Sequence, residues 1–448
     1  MNTLPIAWKE RGLHGLVAGY LFLITIQWSP FPHNIQFSDL LFIALSLWAL
    51  FIFPGFKERE NYAAIRRIHP LDLLVLGYIA GSLISLWGSP NRGLSALAAG
   101  KQFYLVAVYL IFARLAHNPE RQQKIAVWFS IVAVWAASFG VAVLAAYYCA
   151  GAEARDIGRP MPIPYLGTLF RVQGMFHSHE MYGDYLTLSI PLLIGLSLEA
   201  QGAWIRRIGL GLSLAALLGT ISRAWVGSFL AVWFFLRERW NRGLLKALRI
   251  GLGILTVILF LGIGVVSTFA IREWKMGTGW NSDIGPAPYV YAFRDPKRGT
   301  PRLTLDVSYN WMSYHLLKEI ALRAFLEKPI TGIGLGLFEE ATEQAYRQGK
   351  IHSAYRRMAP HCSLLGRLAE TGLVGGAGLL LLWIGIVGCG LSAVHRAGPS
   401  AWLERALVAG FLGLFINSFH VDIMNFRFFW IGLGLLVGSC RSLGPKVP

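Results

Sequence analysis

The chain has 448 residues, of which 55% are hydrophobic and only 15% charged, with a mean hydropathy of +0.50 and a formal net charge of +17. That balance lies outside the range of soluble domains and predicts an all-α integral membrane protein. The basic residues are not interleaved with exposed aromatics on a polar surface, which argues against nucleic acid as a partner.

A bilayer core needs about 20 mostly apolar residues per helix, because hydrocarbon offers an unpaired backbone group no partner. About twelve spans are predicted by that criterion. They cover residues 12–29, 37–54, 70–88, 95–113, 125–149, 180–198, 207–221, 223–236, 250–270, 371–391, 403–419 and 426–440. The first is too long for a signal peptide and lacks a small-residue cleavage site, so it reads as a retained helix. Lys and Arg in short loops mark the cytoplasmic side. Lys9, Arg11, Lys57, Arg59, Arg66, Arg67, Arg114, Arg121 and Lys124 fall on one side. Arg206, Arg207, the cluster Arg237, Arg239, Arg242, Lys246 and Arg249, then Arg396, Arg405, Arg441 and Lys446 fall on the same side. Both termini are then cytoplasmic, residues 1–448 form a single integral membrane domain, and the asymmetry largely accounts for the net charge.

Two hydrophilic insertions lie outside in this topology, over residues 149–179 and 271–370. The second is far longer than an ordinary connection and reads as a folded loop lying on the membrane surface. Between residues 311 and 328, Met312, Leu316, Ile320 and Ala324 share a face, with Lys318, Glu319, Arg323 and Glu327 elsewhere, which is a helical period. A short helix is predicted from Leu337 to Gln348. The intervening Gly332-Ile333-Gly334-Leu335-Gly336 lacks the preceding strand of a dinucleotide fingerprint and reads as a tight turn. Cys149, Cys362, Cys389 and Cys440 have no metal-ligand spacing, and Cys149 and Cys362 both reach the outer face. His177-Ser178-His179-Glu180 with Asp184 gathers metal-ligand types, yet matches no standard spacing and reads as a solvated helix N-terminus. His352 is a loop residue without an evident partner.

Ionisable groups at helix mouths are costly unless they face protein or water. Arg223, between two apolar segments, is as consistent with a snorkelling side chain as with an anion site. Arg171 ends the first outer loop, Lys101 lies early in the fourth span, and Arg427 opens the last one beside His420 and Asp422, within reach of a local ion pair. Guanidinium presents phosphate with a planar fork of donors and keeps its charge at any pH. An outer arginine cluster therefore suits a lipid-linked diphosphate. His361 has the chemistry of a general base for an acceptor hydroxyl, against the alternative of a surface histidine near a helix start. Glu370 either orients a donor or caps its helix.

Several pieces together resemble the superfamily of O-antigen ligases and O-antigen polymerases. These are Arg171-Val172-Gln173-Gly174-Met175-Phe176, Ser222-Arg223-Ala224 and Pro329-Ile330-Thr331-Gly332-Ile333-Gly334 with Phe338. His361 followed by Leu364 or Leu365, and Ala369-Glu370-Thr371-Gly372-Leu373-Val374-Gly375, complete the set. The resemblance implies a metal-independent, cofactor-free inverting glycosyltransferase of the bacterial inner membrane, with its active site facing the periplasm. It would move a glycan from an undecaprenyl-diphosphate carrier to an acceptor such as a lipid A-core sugar. His361 and Arg223 would then be catalytic, with Arg171, Lys101, Glu370, Arg302 and Arg427 binding substrate. Two departures stand out. Cys362 replaces the asparagine usual after the histidine. Ser308-Tyr309-Asn310-Trp311-Met312 lacks the arginine usual before the turn, so that role falls to Arg302, Arg298 or Arg294 or is lost. A polymerase and a protein O-oligosaccharyltransferase remain open within this class. A lipid-linked glycan transporter or flippase is the alternative outside it, although no internal repeat is visible.

Overall fold

The computed structural model describes residues 6–27, 35–52, 68–151, 157–163, 167–199, 204–237, 246–247, 250–251, 253–254, 293–294, 301–302, 307–351, 355–398 and 401–442. The predicted span 250–270 and the first part of the loop that follows it, residues 271–306, therefore lie largely outside the described residues, as do Arg298, His352, Lys57, Arg59, Arg66, Arg67, Arg239, Arg242, Arg249 and Lys446.

The chain folds mainly as helices: α1 (Ile6–Leu23), α2 (Phe37–Ile52), α3 (Pro70–Gly88), α4 (Arg92–Leu115), α5 (Pro119–Ala150), α6 (His179–Glu199), α7 (Trp204–Gly219) and α8 (Ala224–Leu236). After them come α9 (Val307–Glu327), α10 (Phe338–Arg347), α11 (Ser363–Ala397), α12 (Trp402–Asn417) and α13 (Arg427–Ser442). Two antiparallel hairpins, β1 (Gly158–Ile163) with β2 (Gly167–Val172) and β3 (Phe293–Arg294) with β4 (Pro301–Arg302), add strand to an otherwise helical chain. Among the described residues five helices, α3, α4, α5, α6 and α11, are long and apolar enough to cross a membrane; Phe37–Ala49 and Ala224–Leu236 are shorter apolar stretches. Leu76, Leu97, Leu381 and Ile384 stand exposed on the flanks of α3, α4 and α11. That is where a protein in water places polar residues and one in lipid does not.

Helix starts follow the capping residues in the sequence. His69 and Asp72 form a reciprocal capping box around Pro70, and Asn118 accepts from Glu120 and Arg121 ahead of Pro119 at the start of α5. The centre of the bundle is α13, buried continuously from Phe428 to Cys440, as a helix apolar all round should be. Its glycines let backbones approach: a Cβ on Gly434 would stand 2.8 Å from the Ala113 backbone nitrogen of α4.

The helices alternate in direction and so sort the chain into two ends. At one end Arg121 pairs with Glu10 at 2.8 Å, Arg441 with Asp72 at 2.5 Å, and Glu404 accepts from Ser439 at 2.8 Å. These contacts gather residues from the basic loops. At the other end Arg427 meets Asp39, Arg367 meets Asp422, and the Ser363 amide donates to Ser418. This second end carries nearly every residue singled out for chemistry.

Of the predicted loop helices, α9 and α10 form at the expected places. The buried face of α9 is Leu317, Ala321 and Ala324, with Leu316 and Ile320 packed beside it. Leu316, Ile320 and Ala324 of the predicted stripe thus lie on or beside the buried face, which also takes in Leu317 and Ala321. The α11 helix begins at Ser363, earlier than the predicted span at 371, and breaks at Gly372 (φ 63°, ψ −162°). The glycine turn docks into the break. Ile333 and Gly334 donate to the Ala369 and Glu370 carbonyls at 2.9 and 3.0 Å, and Leu373 donates to the Pro329 carbonyl at 2.7 Å. Gly332 and Gly372 both have positive φ, and a Cβ on either would collide with the opposing backbone at 2.3 and 2.2 Å. Two sequence motifs about forty residues apart are thus halves of one interlocked turn.

Candidate functional site

The site end is built from three helix openings and one loop. In the first, the β1–β2 hairpin delivers Arg171, opposite Arg159, and a turn at Gly174 (φ 59°) reverses the chain into α6. Phe176 anchors that turn by stacking on Tyr182 with ring centroids 5.1 Å apart, and Ser178 accepts the Met181 amide at 3.1 Å. Arg171 reaches the Thr220 carbonyl at 3.5 Å and meets the His179 ring. His179 Nε2 lies 2.7 Å from Glu180 Oε1, and both side chains are only 17% exposed. The opening of α6 is therefore an enclosed ion cluster and not a solvated helix end. Among the described residues no three or more His, Cys, Asp or Glu side chains converge on a metal position.

The second opening is the break between α7 and α8. Thr220 and Ser222 bond through their hydroxyls at 2.8 Å, Trp225 Nε1 donates to the Leu217 carbonyl at 2.6 Å, and Ile221 takes φ 42°. Arg223 sits at the N-cap position of α8. Its guanidinium is thus added to the partial positive charge of a helix start. Gly183 of α6 lets this break approach closely, since a Cβ there would lie 2.6 Å from Ala224 Cβ.

His361 stands just before α11 with φ 49°, a conformation costing about 1–2 kcal/mol in a non-glycine residue. It is held by the segment after α12: the Ser363 amide donates to the Ser418 carbonyl at 2.8 Å, and Ser363 Oγ bridges the Val421 carbonyl and the Ile423 amide at 3.0 and 3.1 Å. Cys362 makes no side-chain cap bond. Burial lowers the His361 pKa to about 4; Glu180 opposes that shift, while Arg223 and Lys318 reinforce it. Burial likewise lowers His420 to about 3, helped by Arg223, Lys318 and His361. Lys318, projecting from α9, is lowered by burial and by Arg223, against the pull of Cys362. Arg223 and Lys318 thus act on both His361 and His420, Glu180 acts on His361, and Arg171 and His179 act on Glu180. Lys318, His420, His179 and Glu180 are members that sequence reasoning did not assign to the site. There His179 and Glu180 read as a solvated helix start, His420 as a neighbour of Arg427, and Lys318 as a polar-face residue of α9.

Beneath the cluster Asn417 is a fully buried hub. Its Nδ2 donates to Asp184 Oδ1 at 2.7 Å and Thr187 Oγ1 at 3.3 Å, and its Oδ1 accepts the Gly227 amide at 3.2 Å. It thereby ties α6, α8 and α12 together below Arg223 and His361.

Arg427, Glu370 and Lys101 sit apart from this cluster. Arg427 pairs with Asp39 of α2, not with Asp422. It donates to Asp39 Oδ1 from Nε and Nη2 at 3.1 and 2.6 Å, to Tyr104 at 3.0 Å and to Gln36 at 2.8 Å. Glu370 accepts the Phe338 amide at 3.4 Å and faces Arg367 at 3.5 Å, which braces the glycine turn. Lys101 is exposed on α4, and the charges acting on it are Asp422, Arg427, Arg367 and Glu339 rather than the histidine cluster. Arg302 lies on β4 with its backbone paired to Phe293, and Arg294 pairs with Pro301; their side chains lie outside the described residues. Cys149 and Cys362 are both free thiols.

No family model matches the chain, and no curated protein matches it in sequence. The fold defines the class of an α-helical membrane protein. At a single end of the bundle the chain gathers Arg171, Arg223, Lys318, His179, His361, His420 and Glu180, with Asp184 next to Glu180.

Proposed function

We propose that the protein is a membrane glycosyltransferase of the O-antigen ligase kind. It would move a glycan from an undecaprenyl-diphosphate carrier to an acceptor hydroxyl on the periplasmic face of the bacterial inner membrane. The observation that carries this reading is the meeting of Arg223, Lys318 and Glu180, from separate elements, around His361. A diphosphate supplies the negative charge that this surplus of cations favours, and guanidinium at a helix start is suited to bind it.

In this scheme the acceptor hydroxyl gives its proton to His361 as its oxygen attacks the anomeric carbon from the face opposite the leaving group. The bond between that carbon and the diphosphate oxygen breaks, with inversion. The electron pair goes to the diphosphate, whose developing charge Arg223, Arg171 and Lys318 stabilise. His361 is neutral at pH 7 and able to accept a proton. A bound diphosphate offsets the influence of Arg223 and Lys318 and raises the histidine toward the range of an effective base. The unusual backbone of His361 is consistent with a residue fixed for a task.

The test is to incubate the purified protein with an undecaprenyl-diphosphate-linked glycan and candidate acceptors. The reading predicts release of undecaprenyl diphosphate together with a glycolipid product. A longer lipid-linked glycan would make it a polymerase and a glycoprotein an oligosaccharyltransferase. Movement of intact donor across vesicles without cleavage would replace the enzyme by a transporter.

A further inference from the structure

Asn417 is the last residue of α12, and the segment that follows it is the cradle of His361. The Ser418 and Val421 carbonyls accept from Ser363, and the His361 ring hydrogen-bonds the His420 backbone. A shift of the end of α12 is therefore carried directly to His361.

The Asn417 side chain fixes that end against the two helices that bear the charged residues. Its Oδ1 accepts the Gly227 amide at 3.2 Å, one turn along α8 from Arg223. Its Nδ2 donates at 2.7 Å to Asp184 Oδ1, one turn along α6 from Glu180, and at 3.3 Å to Thr187 Oγ1. Arg223 occupies the N-cap position of α8 without a side-chain cap bond, so the amide that meets the first turn of α8 comes from α12. Glycine permits the approach: a Cβ on Gly227 would lie 2.3 Å from Asn417 Oδ1 and 2.2 Å from the Gly413 carbonyl oxygen. With its donor hydrogens and its acceptor all engaged in an enclosed space, the Asn417 amide is held in one geometry. We propose that Asn417 is a positioning residue for the glycosyl transfer, setting the distance between His361, which takes the acceptor proton, and Arg223, which meets the leaving diphosphate. The role rests on the reaction proposed above. In an in-line displacement the base and the leaving group act on opposite faces of the anomeric carbon, and a misplacement of about 1 Å costs roughly a hundredfold in rate.

The test measures turnover and undecaprenyl diphosphate binding of the full-length protein in detergent. In Asn417→Ala, kcat per folded molecule should fall about a hundredfold, while undecaprenyl diphosphate binds as in wild type because Arg223 remains at the start of α8. Asp184→Ala, which removes one of the Asn417 bonds, should show the same split to a smaller degree, and it carries the test should Asn417→Ala not fold. Asp184→Asn should stay near wild type, because it keeps the oxygen that Asn417 meets, and Asp184 Oδ2 has no hydrogen bond to lose. Gln122→Ala is the control: Gln122 is also buried and donates to Leu435 and Ser439 at the other end, so its loss should lower the thermal midpoint without changing kcat per folded molecule. Unchanged kcat in Asn417→Ala and Asp184→Ala overturns the positioning role and leaves the reaction standing. An equal loss of kcat in Gln122→Ala, or a loss of undecaprenyl diphosphate binding as large as the loss of kcat, overturns the role in the same way. A wild type that releases no undecaprenyl diphosphate from any lipid-linked glycan overturns the reaction, and the role with it.

Discussion

Two groups of arginines lie at the same end of the bundle and differ in what surrounds them. Around Arg427 and Arg367 the carboxylates outnumber the arginines: Asp39 takes two bonds from Arg427, and Glu370 and Asp422 flank Arg367. Around Arg223 the companions are Lys318, His361 and His420, and the carboxylate acting on His361 is Glu180. The first group is neutralised internally and joins helices: Arg427 ties α13 to α2, while Arg367 ties α11 to the loop before α13. The second carries surplus positive charge in an enclosed space, which an anionic ligand would balance. The sign of the local surroundings, not the presence of an arginine, separates bracing from binding.

Substitutions sharpen the comparison. The largest effect is expected at His361: replacement by alanine should lower turnover by roughly two to four orders of magnitude, the usual range for a lost general base. Binding of the lipid-linked donor should persist, and near-normal turnover would return His361 to a structural role. In the neutralised group, Asp39→Ala should cost roughly 3 kcal/mol of stability by leaving Arg427 buried and uncompensated. Melting curves would register this as a lower midpoint, while turnover per folded molecule should stay near wild type. A catalytic loss without a stability loss would put Arg427 in the binding group.

A smaller effect concerns pH. His361 and His420 are held near 4 and 3 in the folded protein, below the ordinary histidine value of 6.5. Unfolded chains therefore take up protons that folded ones refuse as pH falls below 6.5. Their contribution to stability is complete above 6.5, declines as pH drops through about 4 and 3, and is constant below. Thermal midpoints in detergent should fall over that window, and the slope should flatten in a His361→Asn, His420→Asn double variant. An unchanged slope would show that neither ring is kept neutral by the fold.

Much of the frame was legible in the sequence because it depends on local patterns. Apolar runs marked the helices, Lys and Arg marked one end, and the break at Ser222-Arg223 fell where the hydroxyls of Thr220 and Ser222 now hold it. The glycine turn was legible as a turn, but its dock was not. Gly372 breaks a helix that composition continues from Ser363, and the reason, a backbone approach from Ile330, is visible only in space. Lys318 looked like a solvated residue on the polar face of α9. It lies near the cluster because the buried face of α9 is wider than the predicted stripe and extends to Leu317 and Ala321, which puts Lys318 at its edge. Arg427 looked like a partner for Asp422, five residues away, and found Asp39 from the far end of the chain. Ion pairs between helices depend on which helices become neighbours, and no sequence window carries that.

The most direct test of the difference between the two groups is binding of undecaprenyl diphosphate to the purified protein, comparing Arg223→Ala, Arg223→Lys and Arg427→Ala. Binding should be lost in Arg223→Ala, recover little in Arg223→Lys because a point charge lacks the bidentate fork, and persist in the folded fraction of Arg427→Ala. Full binding in Arg223→Ala, with loss confined to Arg427→Ala, would contradict the account and move the diphosphate to the other group.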